Sequence, residues 1–347
     1  MAFSITQTDA RLLDHLQTAI PLVDRPFLQI GQELSLSEQE VIDRVTALKC
    51  KTGGVIRQIS AIFDSRSLGY ESCLVAGKIQ ESRIDEAAAE VGKHPGVSHN
   101  YRRNHDYNLW YTLAVPPDSR LGLQKTVDIL HARSGASITR LMPAIRMYKI
   151  GVKFSLSGES DGPPRKDPAE HRGTATPVFS ATSRDKQLIG LLQKDLPIVP
   201  RPFDTYAEQA DMNVDELLAA AKQYVASGVM RRFSAVLRHR EVGFSANAMG
   251  AWIVPEARRD EFGAMAARFR EVSHCYLRPT YEDWPYSLFT MVHGTSTDAC
   301  ETVLQEISKM TGIADYRALY STREYKKVRV KYFTPEIDNW ESEHALA

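Results

Sequence analysis

The chain contains one sequence pattern twice, and this duplication constrains its architecture more than any other feature. Residues 54–70 (GVIRQISAIFDSRSLGY) return as residues 228–244 (GVMRRFSAVLRHREVGF), 174 positions later. Two shorter motifs repeat at nearly the same offset: VSHNY at 97–101 as VSHCY at 272–276, and RMYK at 146–149 as REYK at 323–326. The sequence therefore predicts two related units that form a covalently linked pseudo-dimer, and each unit is free to vary alone.

Charge and cysteine usage exclude several classes of protein. The 347 residues have a formal net charge of zero, whereas dedicated nucleic-acid binders usually show a basic excess. No apolar run approaches the length of a membrane span, and the first residues do not resemble a signal peptide. The cysteines are scattered without zinc spacing, so we expect reduced thiols, no metal site and a cytoplasmic protein. They are Cys50, Cys73, Cys275 and Cys300.

Composition also predicts the domain boundaries. Residues 155–184 are rich in Pro, Gly, Ser and charged residues and poor in apolar ones, which is typical of a linker. Each copy on either side of it divides into a helical part and a mixed part. The predicted units are a winged helix-turn-helix at 9–66 and a ferredoxin-like domain at 67–154, then a second winged helix-turn-helix at 185–241 and a second ferredoxin-like domain at 242–333, with a tail at 334–347.

The helical part of the first copy follows the winged helix-turn-helix pattern. Apolar spacing predicts a helix over 8–20 with Thr8 or Asp9 as its N-cap, and a short helix near 27–33. Ser37 is expected to cap a third helix over 37–51, with Glu40 placed for a capping box. A strand over 55–63 would follow and begin a β-ribbon.

The mixed part of each copy is predicted to be α+β. Copy one has the order strand, helix, strand, strand, helix, strand, which is the ferredoxin-like arrangement. Its predicted elements cover 70–79, 84–91, 97–103, 107–115, 121–131 and 138–149. Copy two repeats the order: helices are predicted at 186–195 and 214–226, a ribbon at 229–240, strands around 244–254, 271–278, 286–293 and 314–332, and helices near 257–269 and 298–310.

The third helix of each helix-turn-helix argues against DNA binding. Helix 37–51 has equal numbers of acidic and basic residues, and helix 213–227 has one more acidic than basic residue. Non-specific affinity for DNA comes mainly from neutralising phosphates, and base reading needs Arg, Lys, Asn or Gln. We therefore expect these parts to pack and dimerise.

The densest polar signal lies on two consecutive strands of each mixed domain. In copy one, His99, Tyr101 and Arg103 alternate along a strand and share one face, while Asn100 and Arg102 share the other. Arg binds carboxylates through its bidentate fork, and His moves protons near neutral pH. The packing alternative is that the Tyr and Trp side chains of these strands only fill the core of the domain. His105 has no counterpart in copy two, which indicates that the copies differ in function.

The predicted ribbon adds further cations. Arg57 of copy one aligns with Arg231 of copy two. These guanidinium groups are either solvated along the ribbon or reach the mixed domain to hold a polyanion.

These motifs resemble those of the sirohaem (siroheme) decarboxylases, enzymes related to the Lrp/AsnC regulators. The resemblance rests on VSHNYRRNHDYNLW at 97–110, on VSHCYLRPTYEDWPYSLFTMVHG at 272–294, on GFSANAMGAW at 243–252 and on LYSTREYKK at 319–327. It covers both copies. In that family the two subunits are often separate proteins forming a heterodimer, and here they are fused.

The resemblance implies the reaction and the site. Two acetate side chains of siroheme would lose CO2, giving didecarboxysiroheme for heme d1 or for an alternative heme b route. The iron would enter with the substrate, so no cofactor is expected. His99, His105 and His274 would protonate the product or contact the iron, although His274 could instead be structural. The implied substrate-binding residues are Arg57, Tyr101, Arg102, Arg103, Tyr107, Asn108, Trp110, Arg231, Tyr276, Arg278, Tyr281 and Trp284.

Two other functions remain open at this point. The chain could be an Lrp/AsnC-like transcriptional regulator that senses a tetrapyrrole or a small acid. It could also be a non-catalytic partner that needs a sister decarboxylase pair. Further association into a homo-oligomer through the ligand-domain sheets is compatible with either.

Overall fold

A computed structural model describes residues 5–49, 54–150, 178–238 and 246–344. The first copy contains five helices and six strands within these ranges. They are α1 (Gln7–Thr18), α2 (Pro26–Leu34), α3 (Glu38–Leu48), β1 (Ile56–Phe63), β2 (Glu71–Lys78), α4 (Ile84–Gly92), β3 (Val97–Arg103), β4 (Leu109–Val115), α5 (Gly122–Ser134), β5 (Ile138–Met142) and β6 (Arg146–Ile150). The predicted linker lies largely outside the described residues, and the domain boundaries stay predictions.

The second copy repeats this order and adds a helix at its end. Its elements are α6 (Ser183–Leu192), α7 (Asp204–Gln209), α8 (Val214–Ala226), β7 (Met230–Leu237), β8 (Ala246–Trp252), α9 (Arg259–Ala266), β9 (Val272–Leu277), β10 (Leu288–Gly294), α10 (Thr297–Thr311), β11 (Tyr316–Lys327) and α11 (Pro335–His344). Sequence patterning missed α7 and α11, which are short helices. None of the helices in the described ranges is long and apolar enough to cross a bilayer.

Side-chain caps explain where the first helices begin. The Ser37 hydroxyl accepts a hydrogen bond from the backbone N–H of Glu40, and the Glu40 carboxylate accepts one from the backbone N–H of Ser37. This confirms the predicted capping box. The prediction for α1 was wrong by two residues. Its N-cap is Thr6, and Asp9 is the residue that completes the box.

The predicted ribbon forms between the copies. Strand β1 pairs with β7 in an antiparallel two-stranded sheet, so each copy supplies one strand. Ser60 pairs with Ser234, its counterpart in the repeat, and both are fully buried. The pseudo-twofold relation between the copies therefore passes through this pair. One cluster of buried apolar side chains joins the helices of both helix-turn-helix parts to the ribbon.

The two ferredoxin-like domains share one nine-stranded sheet in the order β5-β2-β4-β3-β11-β8-β10-β9-β6. The last strand of each copy crosses to the other copy. Strand β11 pairs with β8 through its first half and with β3 through its second, while β6 leaves copy one to pair with β9. This exchange confirms the pseudo-dimer and leaves the two domains inseparable.

Each half of the sheet has two faces. Helices of its own copy cover one face, and the other face packs against the second half of the sheet. Helices α4 and α5 cover one face in copy one, and α9 and α10 do so in copy two. The opposite face contributes to a fourth cluster shared by both copies, which includes Trp110, Met249, Trp284 and Leu319. The polar motifs of β3 and β9 lie on this shared face.

Candidate functional site

Two equivalent polar clusters lie on β3 and β9, and each is built from the repeated motif Ser-His-x-Tyr-x-Arg. Tyr101 is paired in register with Trp110, so its side chain lies on the face shared by the two copies. Asn100 lies on the opposite face, where its amide donates to the carbonyl of Ala88 in α4. The alternation predicted for His99, Tyr101 and Arg103 is therefore present.

A β-bulge places a serine beside each histidine. The register shifts by one residue at Ser98 on β3 and at Ser273 on β9, which turns the side chain of the extra residue toward its neighbour. Ser98 Oγ lies 3.0 Å from His99 Nδ1, and Ser273 Oγ lies 2.7 Å from His274 Nδ1. The serines orient the two imidazoles.

Each motif ends in an arginine held against an aromatic ring. Arg103 Nη1 donates to the Leu319 carbonyl at 2.8 Å, and Arg278 Nη1 donates to the Met142 carbonyl. The guanidinium carbons lie 5.9 Å from the Tyr101 ring centre and 4.9 Å from that of Tyr276. These carbonyls belong to β11 of copy two and to β5 of copy one, so each arginine is held by a strand of the other copy.

Burial leaves these two guanidinium groups short of partners. The Nε atoms of Arg103 and Arg278 are buried and make no hydrogen bond to any residue that the structure describes. Burial lowers the pKa of each group to about 10, because the charged form loses hydration. A bound anion at each guanidinium would supply the missing hydrogen-bond acceptor.

The first cluster also receives cations from the ribbon side. Lys327 is the register partner of His99, Arg57 Nη2 donates to the Lys327 carbonyl at 3.0 Å, and Arg329 Nη1 donates to Ser60 Oγ at 2.8 Å. Burial, and then the charges of Lys327 and Arg57, lower the pKa of His99 to about 4. His99 is therefore neutral at pH 7 until an anion offsets these charges.

The second cluster has a different charge balance. Both Nε and Nη2 of Arg231 donate to one carboxylate oxygen of Asp64, so this ribbon arginine is paired within the protein. Burial opposes ionisation of Asp64, but hydrogen bonds from Ser67 and Arg231 outweigh it and lower the pKa of the carboxyl. Burial raises the pKa of Tyr276, and the nearby charges of Arg278 and Arg66 oppose that rise.

Several arginines in and beside the two clusters have no acidic partner in the part of the chain that the structure describes. No described carboxylate lies within 4.0 Å of Arg57, Arg103, Arg278 or Arg329. A buried guanidinium without a counter-ion is unfavourable, and a bound anion would offset the cost of its charge.

Several of the implied binding residues have structural partners instead. The amide of Asn108 bonds both the N–H and the carbonyl of Ile79, at 3.0 and 2.8 Å. Arg102 pairs with Glu81, and Tyr281 donates to the Leu141 carbonyl at 2.5 Å. Asn108 and Tyr281 thus contact backbone after β2 and within β5, and Arg102 contacts a surface carboxylate.

The two tryptophans lie in the apolar core. Trp110 and Trp284 are 1% and 0% exposed, and their ring centres are 5.3 Å apart. Trp284 lies in the loop before β10 and also contacts Tyr107 and Phe289. Tyr107 is fully buried, and its hydroxyl donates to Asp283 at 2.6 Å. The packing alternative therefore describes Trp110 and Trp284 better than contact with a ligand.

The structure separates His105 from His99. His105 lies in the turn between β3 and β4, at the other end of β3, with its ring 5.2 Å from that of Trp284. Its Nδ1 accepts a hydrogen bond from the Tyr107 N–H at 3.0 Å, and burial lowers its pKa. His105 therefore lies apart from the Ser98–His99 bulge.

Sequence reasoning missed several residues of the clusters. Ser98 and Ser273 precede the histidines in both copies, so the repeat itself could have indicated them. Lys327 and Arg329 follow the repeated REYK motif and reach the site only because β11 crosses between the copies. His293 joins the second cluster from β10, where its Nε2 lies 2.7 Å from Ser273 Oγ.

Comparisons with known proteins agree with this arrangement. The Siroheme decarboxylase NirDL-like HTH domain family matches residues 9–57 and 185–231, and the AsnC-like ligand binding domain family matches 67–149 and 241–326. A siroheme decarboxylase of Hydrogenobacter thermophilus is 39% identical over 95% of this chain and 96% of its own length. The siroheme decarboxylase NirDL subunit of Paracoccus denitrificans is 32% identical over 92% and 95%.

A solved structure matches the fold over nearly the whole chain. The siroheme decarboxylase NirDL, crystallised with an iron-uroporphyrin III analogue, has a TM-score of 0.78 at 36% identity and covers 99% of this chain and 100% of the other. Separate subunits also match part of the chain. One is the beta subunit of Methanosarcina barkeri, 43% identical over 42% of this chain and 97% of its own length. The duplicated chain with its paired Ser-His-x-Tyr-x-Arg clusters belongs to the siroheme decarboxylase family.

Proposed function

We propose that this chain is a carboxy-lyase that removes CO2 from two acetate side chains of siroheme and forms didecarboxysiroheme. The product would serve heme d1 synthesis or an alternative heme b route, in the cytoplasm. Close relatives along the full length are siroheme decarboxylases, and a structural relative binds an iron-uroporphyrin III analogue. These matches favour an enzyme over a regulator.

One observation supports this proposal more than any other: the buried Nε atoms of Arg103 and Arg278 have no described partner. Siroheme presents acetate and propionate carboxylates all around its macrocycle. A carboxylate bound at each guanidinium would complete its hydrogen bonds and offset its buried charge. Arg57, Lys327 and Arg329 extend the positive surface toward the ribbon.

The chemistry needs binding, orientation and a proton. When CO2 leaves, the bonding electron pair stays on the methylene carbon next to a pyrrole, where the conjugated macrocycle delocalises it. A proton must then reach that carbon to give the methyl group. His99 and His274 are the imidazoles on the shared face, and the serines beside them hold their orientation. The iron comes with the substrate, and the reaction requires no separate redox cofactor.

The helix-turn-helix parts serve a structural role in this proposal. Among the described residues of α3, acidic side chains outnumber basic ones, and α8 is also acidic overall. Such helices attract phosphate poorly. Their strands instead form the ribbon that brings Arg57 to the ligand domain.

The test is anaerobic incubation of the purified chain with siroheme, followed by mass spectrometry of the tetrapyrrole. Two successive losses of CO2 are expected. Unchanged siroheme together with salt-sensitive binding to operator DNA would refute the enzyme and support a regulator. Turnover that appears only after a sister decarboxylase pair is added would refute independent activity.

A matched pair of variants tests the role of the buried arginines. Arg103→Met should weaken siroheme binding about ten- to hundredfold, the effect of losing a charge-assisted hydrogen bond. Arg102→Met is the control, because the adjacent Arg102 pairs with Glu81 and should leave binding within about twofold. Titration of siroheme absorbance measures both. Equal affinities for the two variants would contradict the assignment.

A further inference from the structure

Ser273 connects two imidazoles in the second copy. Its hydroxyl oxygen lies 2.7 Å from Nδ1 of His274 and 2.7 Å from Nε2 of His293. A hydroxyl group donates one hydrogen bond and accepts others, so it can pass a proton between two neighbours by exchanging these roles. Ser273 is 1% exposed, so bulk water does not compete for it.

The first copy lacks this connection. Thr112 is the register partner of His99, and Met291 is that of His274. Two residues further along these strands, Ala114 therefore occupies the position of His293. Ser98 still bonds His99 at 3.0 Å, but the methyl group of Ala114 gives it no second imidazole.

The residues opposite the two histidines differ as well. Lys327 pairs in register with His99, whereas Ile150 pairs with His274. Lys327 and Arg57 disfavour a positive imidazolium at His99 and attract anions. In the second copy, the ribbon arginine nearest to Tyr276 is instead neutralised by Asp64. Beside its arginine, the first cluster therefore adds cations that attract carboxylates, whereas the second adds a hydroxyl-linked imidazole that can move a proton.

We propose that Ser273 and His293 form a proton relay that reloads His274, so that the second copy protonates the substrate, while the cations around His99 in the first copy add to the binding of its carboxylates. This inference rests on the proposed decarboxylation. The C–CO2 bond breaks, and its electron pair takes the proton from His274 Nε2 to form the new C–H bond. As that proton leaves, Ser273 donates its own proton to His274 Nδ1 and accepts one from Nε2 of the protonated His293, so that His274 and His293 both end as neutral imidazoles.

The relay matters because every CO2 released consumes one proton. His274 must be reprotonated twice for each didecarboxysiroheme formed, while the bound macrocycle covers the shared face. His293 lies at the end of β10 and is partly exposed, so it can take a proton from solvent. His293 and Ser273 are positioning residues, since they act on the substrate only through His274.

Two substitutions at His293 separate a relay from a packing role. His293→Gln keeps a hydrogen-bonding group near Ser273 but cannot carry a proton, and His293→Ala copies the residue of the first copy. Both should lower kcat at least about tenfold with KM within about twofold, because proton transfer contributes about 10²–10⁴-fold. Free imidazole should restore part of the activity of His293→Ala. Monodecarboxysiroheme should accumulate in both reactions.

The matched control is Ser98→Ala against Ser273→Ala. Both remove a serine from a β-bulge beside a histidine, but only Ser273 lies in the relay. Ser273→Ala should lower kcat as His293→Ala does and raise the solvent deuterium isotope effect on kcat. Ser98→Ala removes only the hydrogen bond that orients His99, so it should leave the solvent deuterium isotope effect on kcat unchanged. Circular dichroism and siroheme absorbance confirm that each variant folds and binds substrate.

Two results would overturn the relay. One is full activity of His293→Gln, which would show that the hydrogen bond alone matters. The other is an equal solvent deuterium isotope effect on kcat in Ser98→Ala and Ser273→Ala. Either result with an active wild-type chain leaves the decarboxylase proposal intact, whereas an inactive wild-type chain would refute that proposal instead.

Discussion

The ring of Tyr148, from the exchanged strand of the first copy, lies against Gly263 in α9 of the second copy. A Cβ atom at Gly263 would lie 2.5 Å from Tyr148 Cδ2, closer than real contacts allow. The Tyr148 hydroxyl donates to Asp260 at 2.6 Å in the same helix. Tyr325 donates in the same way to Asp85 in α4 at 2.5 Å, so each exchanged strand is fastened to a helix of the other copy.

We therefore expect Gly263→Ala to weaken the link between the copies. The added methyl group must displace the Tyr148 ring, which should cost about 1–3 kcal/mol of unfolding free energy. Gly190→Ala in α6 is the control, because nothing lies within 4 Å of its new Cβ; it should stabilise the chain by about 0.5–1 kcal/mol. Urea unfolding measures both, and a neutral Gly263→Ala would contradict the tight contact.

The two aligned ribbon arginines should respond differently to substitution. Arg231→Met leaves Asp64 without its ion pair and should cost about 1–3 kcal/mol of unfolding free energy. Arg57→Met removes a cation with no described carboxylate partner, so stability should change little while the KM for siroheme rises. Thermal unfolding and steady-state kinetics separate the two effects. A larger loss of stability in Arg57→Met would show that the pairing was misassigned.

Acid should destabilise the fold through His94. This side chain is 1% exposed, and burial, followed by the charges of Lys326 and His344, lowers its pKa to about 3. The folded state therefore disfavours the imidazolium relative to the unfolded chain, whose pKa is near 6.5. Stability is complete above pH 6.5 and is lost as the pH falls toward 3, by about 1.4 kcal/mol per pH unit.

His94→Asn provides the comparison for this pH dependence. The Asn oxygen can accept the hydrogen bond that the Gly96 N–H donates to His94 Nδ1 at 2.9 Å, but it does not titrate. The slope of unfolding free energy between pH 6 and 4.5 should fall by nearly one proton in the variant. Identical slopes for the two proteins would mean that His94 is not the responsible group.

The C-terminal helix α11 should stabilise the first copy although it belongs to the second. Trp340 packs edge-on against His94 with 4.3 Å between ring centres, and the buried Glu341 accepts from the Arg120 N–H at 2.9 Å. Trp340→Ala should cost about 3 kcal/mol and speed amide exchange in α5. The exposed Met310 of α10 is a control position, where Ala should change stability by less than about 0.5 kcal/mol. Unchanged exchange in α5 would contradict this docking.

The local parts of the site follow from the sequence. His99, Tyr101 and Arg103 alternate on one strand, and a strand with this alternation presents them on one face in any fold. The bulge at Ser98 was not predictable, because a one-residue shift in register depends on how β3 meets β4. The sequence left both the core and a binding site open for Trp110 and Trp284, since an aromatic residue near a polar motif has the same sequence signal in either place.

The sequence alone determined that this protein has two related copies, most of the elements that each copy contains, and which motif bears its imidazole and guanidinium groups. These properties depend on local spacing and on the repeat. Only the tertiary structure decided that β1 pairs with β7, that β6 and β11 exchange between the copies, and that Lys327 meets His99 while Ile150 meets His274. Such contacts join residues far apart in the chain, and their register is set by packing, which no local pattern encodes.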